Sequence, residues 1–338
     1  MEQIKVLGID IAKNVFELCG LNEAHEVVYR KRVRRRQFMR TVLQAGAERI
    51  VIEACGASHH WARRLRHENQ RVTLLPPHQV KPFNTGNKND ANDALAIAVA
   101  GTQASIRPVA VKTLEQQDIQ SLHRVREQVK KQRTEVINQA RGLLAEYGVV
   151  LPVGVSGFRR GIPEVLEDAE NALTDRIRAL IADLYDQFHA LDARMQQYDR
   201  DIKAVAQQID FCRRAMEVGG IGAQTATAFY ATVGDAGLFA KGRQVSAWVG
   251  LVPSQHASGD QQWLGSITKR GSRYLRTLLV HGARALLTQA ERLPGRRGAW
   301  VRQRIARNGR NKAAVALANK NTRILWALMH NGESYQPA

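Results

Sequence analysis

The chain has 338 residues, with 50 Lys and Arg against 31 Asp and Glu, a formal net charge of +19. That length suits about two domains with real cores, and 44% hydrophobic against 24% charged residues excludes a disordered polymer. No apolar run reaches the roughly 18–20 residues of a membrane helix, no signal peptide is expected, and Cys19, Cys55 and Cys212 lie too far apart for a disulfide framework or a sequence-evident zinc site. A reducing, cytoplasmic setting is therefore expected.

In chain order, Lys5 to Asp10 reads as a buried strand ending on a carboxylate, followed by strands over Val15–Gly20 and Glu26–Val33. A helix is expected over 37–46. The next strand, Arg49 to Ala54, again carries a carboxylate, Glu53, at its end. A helix through Trp61–His67, a strand over Arg71–Leu75 and the breaker Pro76-Pro77 follow. This order predicts an α/β domain with a mixed sheet, and it resembles the RNase H fold. A further helix is expected from about Asp90 to Ala100.

From 115 to 147, Leu122, Val129, Val136 and Leu143 recur every seven residues. Between Ile177 and Met216 apolar residues alternate spacings of four and three, a heptad seam predicting about 60 Å of uninterrupted helix. The Gly- and Pro-punctuated stretch 151–163 is expected to be a connecting loop. The predicted product is a coiled-coil arm that pairs with another chain, or a bundle arm within one chain. After Val218-Gly219-Gly220-Ile221-Gly222 a helix is expected over 224–233, in an arrangement that resembles a helix-hairpin-helix element. Gly220 and Gly222 would let a backbone approach a DNA phosphate there. After Trp263 the chain is expected to be largely helical, over 273–290 and 300–331. The predicted domains are thus 1–113, 114–216 and 217–338.

Charge is uneven along the chain. Residues 241–338 hold 17 Lys and Arg against 3 Asp and Glu, whereas the first 240 hold 33 against 28. A basic yet foldable C-terminal third suits a surface that neutralises phosphates. A second cluster, Arg30 to Arg36, has six bases in seven residues; it suits nucleic acid or a solvated strand end equally.

Four acids stand out by position. Asp10 and Glu53 end apolar strands, while Asp90 and Asp93 share one face at a helix start. Converging carboxylates repel one another unless a cation sits among them, and hard oxygen donors suit Mg²⁺ or Mn²⁺. The plainer alternatives are that Asp10 is a turn residue and that Asp90 caps its helix, with Asp93 favouring the helix dipole.

Gly8-Ile9-Asp10-Ile11-Ala12-Lys13, Ile52-Glu53-Ala54 and Asn87-Lys88-Asn89-Asp90-Ala91-Asn92-Asp93-Ala94 match the Asp-Glu-Asp-Asp pattern of the DEDD insertion-sequence transposases. Gly219-Gly220-Ile221-Gly222, Gln244 to Pro253, Ser258-Gly259, Lys269-Arg270-Gly271 and Tyr274-Leu275-Arg276 continue that resemblance in order, over about residues 5–330. It implies a RuvC-like N-terminal domain, a mainly helical C-terminal domain, and a metal site of Asp10, Glu53, Asp90 and Asp93. It also implies a serine that attacks the DNA phosphodiester and holds the strand as a phosphoserine. Chemistry alone leaves Ser254, Ser258, Ser266 and Ser272 unranked; the family pattern selects Ser258. A hydroxyl needs activation, which the metal site would supply, since His256 is expected on the opposite side of an extended stretch.

The family further implies donor and target DNA as partners and a structured noncoding guide RNA, the bridge RNA, whose loops pair with both DNAs. It implies dimers pairing into a tetramer, with acids of one subunit and the serine of another making one site. Lys269, Arg270, Arg273 and Arg276 join Gly220 and Gly222 as nucleic-acid-binding candidates, and Arg30–Arg36 is compatible with RNA backbone contacts. The alternative is a metal nuclease of the Holliday-junction-resolvase kind, using water and no covalent intermediate. A non-catalytic assembly protein is a third reading.

Overall fold

A computed structural model describes residues 2–84, 89–259 and 261–336. Asn87 and Lys88 of the third motif lie outside the described residues. Two compact units form, Met1–Glu115 with Val233–Ala240, and Gln116–Thr232 with Lys241–Ala338.

The first unit is built on a five-stranded sheet. Strands β1 (Val6–Ile11), β2 (Val15–Leu21) and β3 (Val27–Arg34) run antiparallel to one another in sequence, and helix α1 (Phe38–Ala45) leads to β4 (Arg49–Glu53). Helix α2 (Ser58–His67) then leads to β5 (Val72–Leu75), the short α3 (Pro77–Val80) follows, and α4 spans Asp90–Thr102. The strand order is β3-β2-β1-β4-β5, with β1, β4 and β5 parallel. This is the mixed sheet expected from the sequence, with boundaries shifted by a residue or two. Strands β1 and β4 read as nearly continuous apolar runs because both of their faces are covered.

The two faces hold different things. Leu7, Ile9, Phe16, Val33, Ile50 and Ile52 pack with α1 and α2, where the Phe16 ring stacks 4.4 Å from Phe38 and Trp61 lies edge-on to both. Val6, Val51 and Leu75 face Ala96, Ile97 and Ala100 of α4. Asp10 and Glu53 follow the same alternation as Val6 and Val51, so both lie on the α4 face. Gly8 lets α4 settle there: a Cβ at that position would sit 2.5 Å from the Ala94 carbonyl oxygen and the Ala98 nitrogen.

The second unit is mostly helical: α5 (Leu114–Ala145), α6 (Gly154–Glu167), α7 (Asp175–Gln208), α8 (Asp210–Met216), α9 (Ala223–Val233), α10 (Gly242–Val249), α11 (Arg273–Leu287) and α12 (Gly295–Asn331), with a hairpin of β6 (Pro253–Ser258) and β7 (Gln261–Ile267). Four expectations change. The stretch 151–163 is no loop, because α6 occupies most of it. Its glycines permit contact instead: a Cβ on Gly157 would lie 2.3 Å from the Pro152 carbonyl oxygen, and one on Gly161 would lie 2.7 Å from the Leu151 side chain. Pro163 stands inside α6, where it cannot donate to the Arg159 carbonyl four residues back. That carbonyl accepts the Tyr185 hydroxyl at 2.9 Å, so no orphan acceptor remains.

The heptad seam is interrupted at Ile209, whose backbone is extended (φ −92°, ψ 118°), and α8 restarts with Asp210 paired to Arg213 and Arg214. Much of the seam is buried inside the chain. Ile181, Leu184 and Phe188 share a core with Ile137, Ala140, Leu144, Phe158 and Ile162 of α5 and α6. The buried stripe of α5 keeps only Val129 of the predicted heptad: Gln116, Ile119, His123, Arg126, Ile137, Ala140 and Leu144 form the rest of it, while Leu122, Val136 and Leu143 are half-buried. Asp192, 6% exposed, bonds Arg133 of α5 and Arg159 of α6 and so ties three helices. The hairpin is the fourth change, a strand pair within a domain expected to be mainly helical, at a stretch around Ser258 expected to be extended but unpaired. Helix α12 is kinked at Gly309 (φ 75°).

His123 is a buried joint of this unit, 3% exposed, with Nδ1 2.8 Å from the Tyr274 hydroxyl and Nε2 2.9 Å from Thr227 Oγ1. Burial, then the Arg126 charge, lowers its pKa to about 4. The unfolded chain therefore takes up a proton below about pH 6.5 that the folded chain refuses until about pH 4. Stability from this residue is complete above pH 6.5 and falls through that window, by about 3 kcal/mol in all. Urea unfolding between pH 7 and 4 is expected to show a steeper loss for the wild type than for His123→Gln. Parallel curves would assign the acid sensitivity elsewhere.

Candidate active site

Strands β1 and β4 are parallel neighbours, with Ile9 level with Ile52. The next residue of each is an acid, so Asp10 and Glu53 stand side by side at the carboxyl ends of the two strands. Helix α4 brings the other two acids. Its N-cap is Asn89, whose Oδ1 accepts the Asn92 amide at 2.8 Å. The reading of Asp90 as the cap is therefore corrected: Asp90 is the first residue of the helix, and its carboxylate is not needed to cap it. One carboxylate oxygen each of Asp10, Asp90 and Asp93 falls within a mutual 4.8 Å.

Glu53 lines the same cleft as Asp10 and Asp93, together with Pro77, Val80, Lys81, Asn84 and Ala96. The electrostatics carry the mark of crowding. Burial, then Asp93 and Asp90, push the Asp10 carboxyl up to about 6. The Glu53 carboxyl is also raised, by burial, then Asp10 and Asp93. A polar neighbour orients the group, since Asn84 Nδ2 donates to Asp93 Oδ1. Lys81 is the one basic residue among the described lining residues of this cleft. Neither Asn84 nor Lys81 was legible beforehand, since nothing local ties the turn after Pro76-Pro77 to acids on other elements.

These donors fit a divalent cation. All are hard carboxylate oxygens, half-buried or exposed, held on a sheet and a helix that meet through Gly8. Unneutralised acids this close raise the pKa of a buried neighbour, as at Asp10 and Glu53.

Ser258 belongs to the second unit. It ends β6, opposite Gln261, and is exposed, with Gly259 in a left-handed turn conformation beside it (φ 56°). The register runs Gln255 with Leu264, His256 with Trp263, Ala257 with Gln262 and Ser258 with Gln261. Side chains alternate along a strand, so His256 and Ser258 share a face. The expectation that His256 points away was wrong, because residues two apart in a strand lie on the same side. Trp263, 58% exposed, stands on that face too. The rival serines differ: Ser272 Oγ caps α11 by accepting the Leu275 amide at 3.2 Å, and Ser254 Oγ fills the space where a Gly265 Cβ would be.

The remaining nucleic-acid candidates are spread over the second unit. Gly220 (φ 85°) faces the Gly282 carbonyl of α11 at a distance that excludes a side chain, whereas a Cβ on Gly222 would meet nothing. The Gly219 carbonyl, just before them, accepts from Arg297 and the fully buried Asn321. Lys269 has a positive φ of 54°, and Gly271 approaches the Trp248 carbonyl. Arg276 donates to the Val249 and Arg270 carbonyls at 2.8 and 2.7 Å, bracing this turn. Arg273, at the start of α11, and Arg270 are exposed.

A transposase family model of the DEDD, IS110 type matches residues 7–149, and the model of the transposase IS116/IS110/IS902 family matches residues 212–297. The transposase for insertion sequence element IS1111A of Coxiella burnetii is 44% identical over 336 residues, covering 99% of this chain and 92% of that protein. A probable family 20 transposase of Pseudomonas aeruginosa is 41% identical, and the transposase for insertion sequence element IS1328 of Yersinia enterocolitica is 31% identical, each covering 98% of both chains. With the carboxylates of the N-terminal motifs drawn into one cleft, the chain belongs to the IS110-type DEDD transposases, enzymes of insertion sequences that act on DNA.

Proposed function

We propose that this transposase cuts and exchanges DNA strands through a phosphoserine link at Ser258, with Asp10, Glu53, Asp90 and Asp93 holding Mg²⁺ or Mn²⁺. The convergence of the Asp10, Asp90 and Asp93 oxygens carries the reading. A bound divalent cation would supply Lewis-acid polarisation of the scissile phosphate and lower the pKa of a hydroxyl beside it. The chain's own part is to fix the carboxylates on a rigid strand–helix junction and to present an exposed serine at a hairpin end. Ser258 Oγ bonds to phosphorus as the bond from phosphorus to one sugar oxygen breaks. The serine proton leaves to a neighbouring base or water, and the departing sugar oxygen takes one up. Reversal by a sugar hydroxyl reseals the strand without a nucleotide cofactor, because the phosphodiester energy is kept in the protein–DNA bond. Guidance by a structured noncoding RNA and assembly of dimers into a tetramer belong to the same reading, which the resemblance supports and the basic C-terminal third accommodates.

The test uses the gene with its native flanking DNA, so that any RNA encoded there is present. Cells are lysed in denaturant, and DNA that stays covalently attached to the protein is counted. Adduct is expected in the wild type and is expected to fall by at least about 10³-fold in both Ser258→Ala and Asp90→Ala. Adduct that survives Ser258→Ala places the nucleophile elsewhere. Mg²⁺-dependent cutting without adduct, unimpaired in Ser258→Ala, makes the enzyme a resolvase-like nuclease that uses water.

A further inference from the structure

The basic run Arg30–Arg36 is divided by the sheet. Strand β3 is the edge strand, and its register with β2 is unbroken from Val15 opposite Arg34 to Gly20 opposite Tyr29. Glu17 pairs with Arg32 on one side and with Asp10 on the other. Asp10, Glu17 and Arg32 therefore form one cross-strand row on the face that carries the carboxylate site. Alternation places Arg30 and Arg34 on that same face, while Lys31 and Val33 turn to the face covered by α1 and α2. Arg35 is engaged elsewhere: its guanidinium lies 5.0 Å from the Trp61 ring centre and donates to the Lys13 carbonyl.

We infer that Arg30, Arg32 and Arg34 form the phosphate-binding rim of the carboxylate cleft and hold the DNA strand that enters it. This rests on the reading of the four acids as the site that receives the DNA phosphate. Strand β3 lies two strands from β1, about 10 Å at the usual inter-strand spacing, and alternate residues along it are about 6.7 Å apart. That spacing is close to the separation of successive phosphates along a nucleic-acid backbone. Arg30, Arg32 and Arg34 are all exposed, and Arg32 is steadied by Glu17, its Nε 3.2 Å from the Glu17 carboxylate. Glu17 thus acts as a positioning residue between the acids and the rim. A row of cations beside an acidic cleft resolves an electrostatic conflict, since a polyanion must approach four carboxylates. The occupant we infer is DNA: the rim and the cleft share one sheet face, so a strand whose phosphate reaches Asp10 can continue over β3.

The experiment uses the full-length protein in EDTA, which prevents cleavage, with a labelled 40-base-pair duplex and, separately, a structured RNA of similar length. Arg30→Gln/Arg34→Gln is compared with Lys31→Gln/Arg40→Gln, which removes the same charge from the opposite side of the sheet. The rim double variant is expected to weaken duplex binding about tenfold near 0.1 M salt and to lower the slope of log K against log salt by about 2. The control should leave the slope nearly unchanged. Equal losses in both pairs would reduce the effect to net charge and overturn the rim. A loss confined to the RNA probe would overturn it in favour of an RNA surface. The underlying reading fails by a different readout, in which Asp10→Asn/Asp93→Asn leaves calorimetric Mn²⁺ binding intact.

Discussion

Asp10→Asn is expected to abolish DNA cleavage while making the metal-free protein more stable. Removing a ligand from a site that stabilises transition-state charge costs about 4 kcal/mol or more, a factor of about 10³ in rate. The stability effect has the opposite sign. Asp10 is half-buried beside Asp93 and Asp90, and its carboxyl is pushed up to about 6 from 3.8. Between those values the folded chain keeps a proton that the unfolded chain has lost. Metal-free stability therefore falls as pH rises through about 4 to 6 and stays reduced above it. Asparagine cannot ionise, so at pH 7.5 the variant should gain on the order of 2 kcal/mol after allowance for solvent screening. Thermal unfolding in EDTA, alongside cleavage in Mg²⁺, checks both halves. Lost cleavage with lowered stability would make Asp10 a structural residue, and retained cleavage would move the metal site. A site that is costly to fold without its ion is what functional carboxylates produce when elements are packed around them.

Gly8→Ala should be the most damaging single methyl group in the first unit. The added Cβ would lie 2.5 Å from the Ala94 carbonyl oxygen, 2.5 Å from the Ala98 nitrogen and 2.7 Å from the Ala98 Cβ. Two of these are backbone atoms of α4, so no side-chain rotation relieves the contact. The helix must move away from β1, carrying Asp90 and Asp93 away from Asp10. Overpacking of this kind costs about 3 kcal/mol or more. Chemical denaturation should show that loss, and Mn²⁺ binding measured by calorimetry should weaken by at least about tenfold in the fraction that remains folded. Gly142→Ala is the matched control: it lies within α5, where a Cβ meets nothing. It should stabilise by roughly 0.5–1 kcal/mol through helix propensity. A Gly8→Ala protein with wild-type stability and metal affinity would show that α4 has slack against β1.

The same glycine shows how far the sequence could be read. Gly8-Ile9-Asp10 was legible as a strand ending on an acid, and its match to a family motif brought Asp10 into the candidate site. What Gly8 does, letting a helix about 90 residues later rest on the strand, has no local signature. Gly157, Gly161 and Pro163 make the converse case. Read as punctuation they predict a loop, yet the two glycines are points of close approach and the proline's orphaned acceptor is satisfied by Tyr185. Tertiary contact overrode local propensity at all three. His256 and Ser258 needed only the period of a strand, once the hairpin was known.

By itself the sequence determined the order and kind of the first unit's strands and main helices, though not the short α3, and the four acids at their ends. Buried parallel strands and a polar-capped helix start leave local patterns, so Val6–Ile11, Arg49–Glu53 and Asp90–Thr102 were visible within a residue or two. The tertiary structure alone decided which side of the sheet each group occupies. It placed Glu17 between Asp10 and Arg32, gave Lys81 and Asn84 to the acidic cleft, and turned the apolar stripe of α7 toward α5 and α6. Each of these depends on register or packing between residues distant in the chain. A periodic sequence specifies that a face will be buried but leaves open what will cover it.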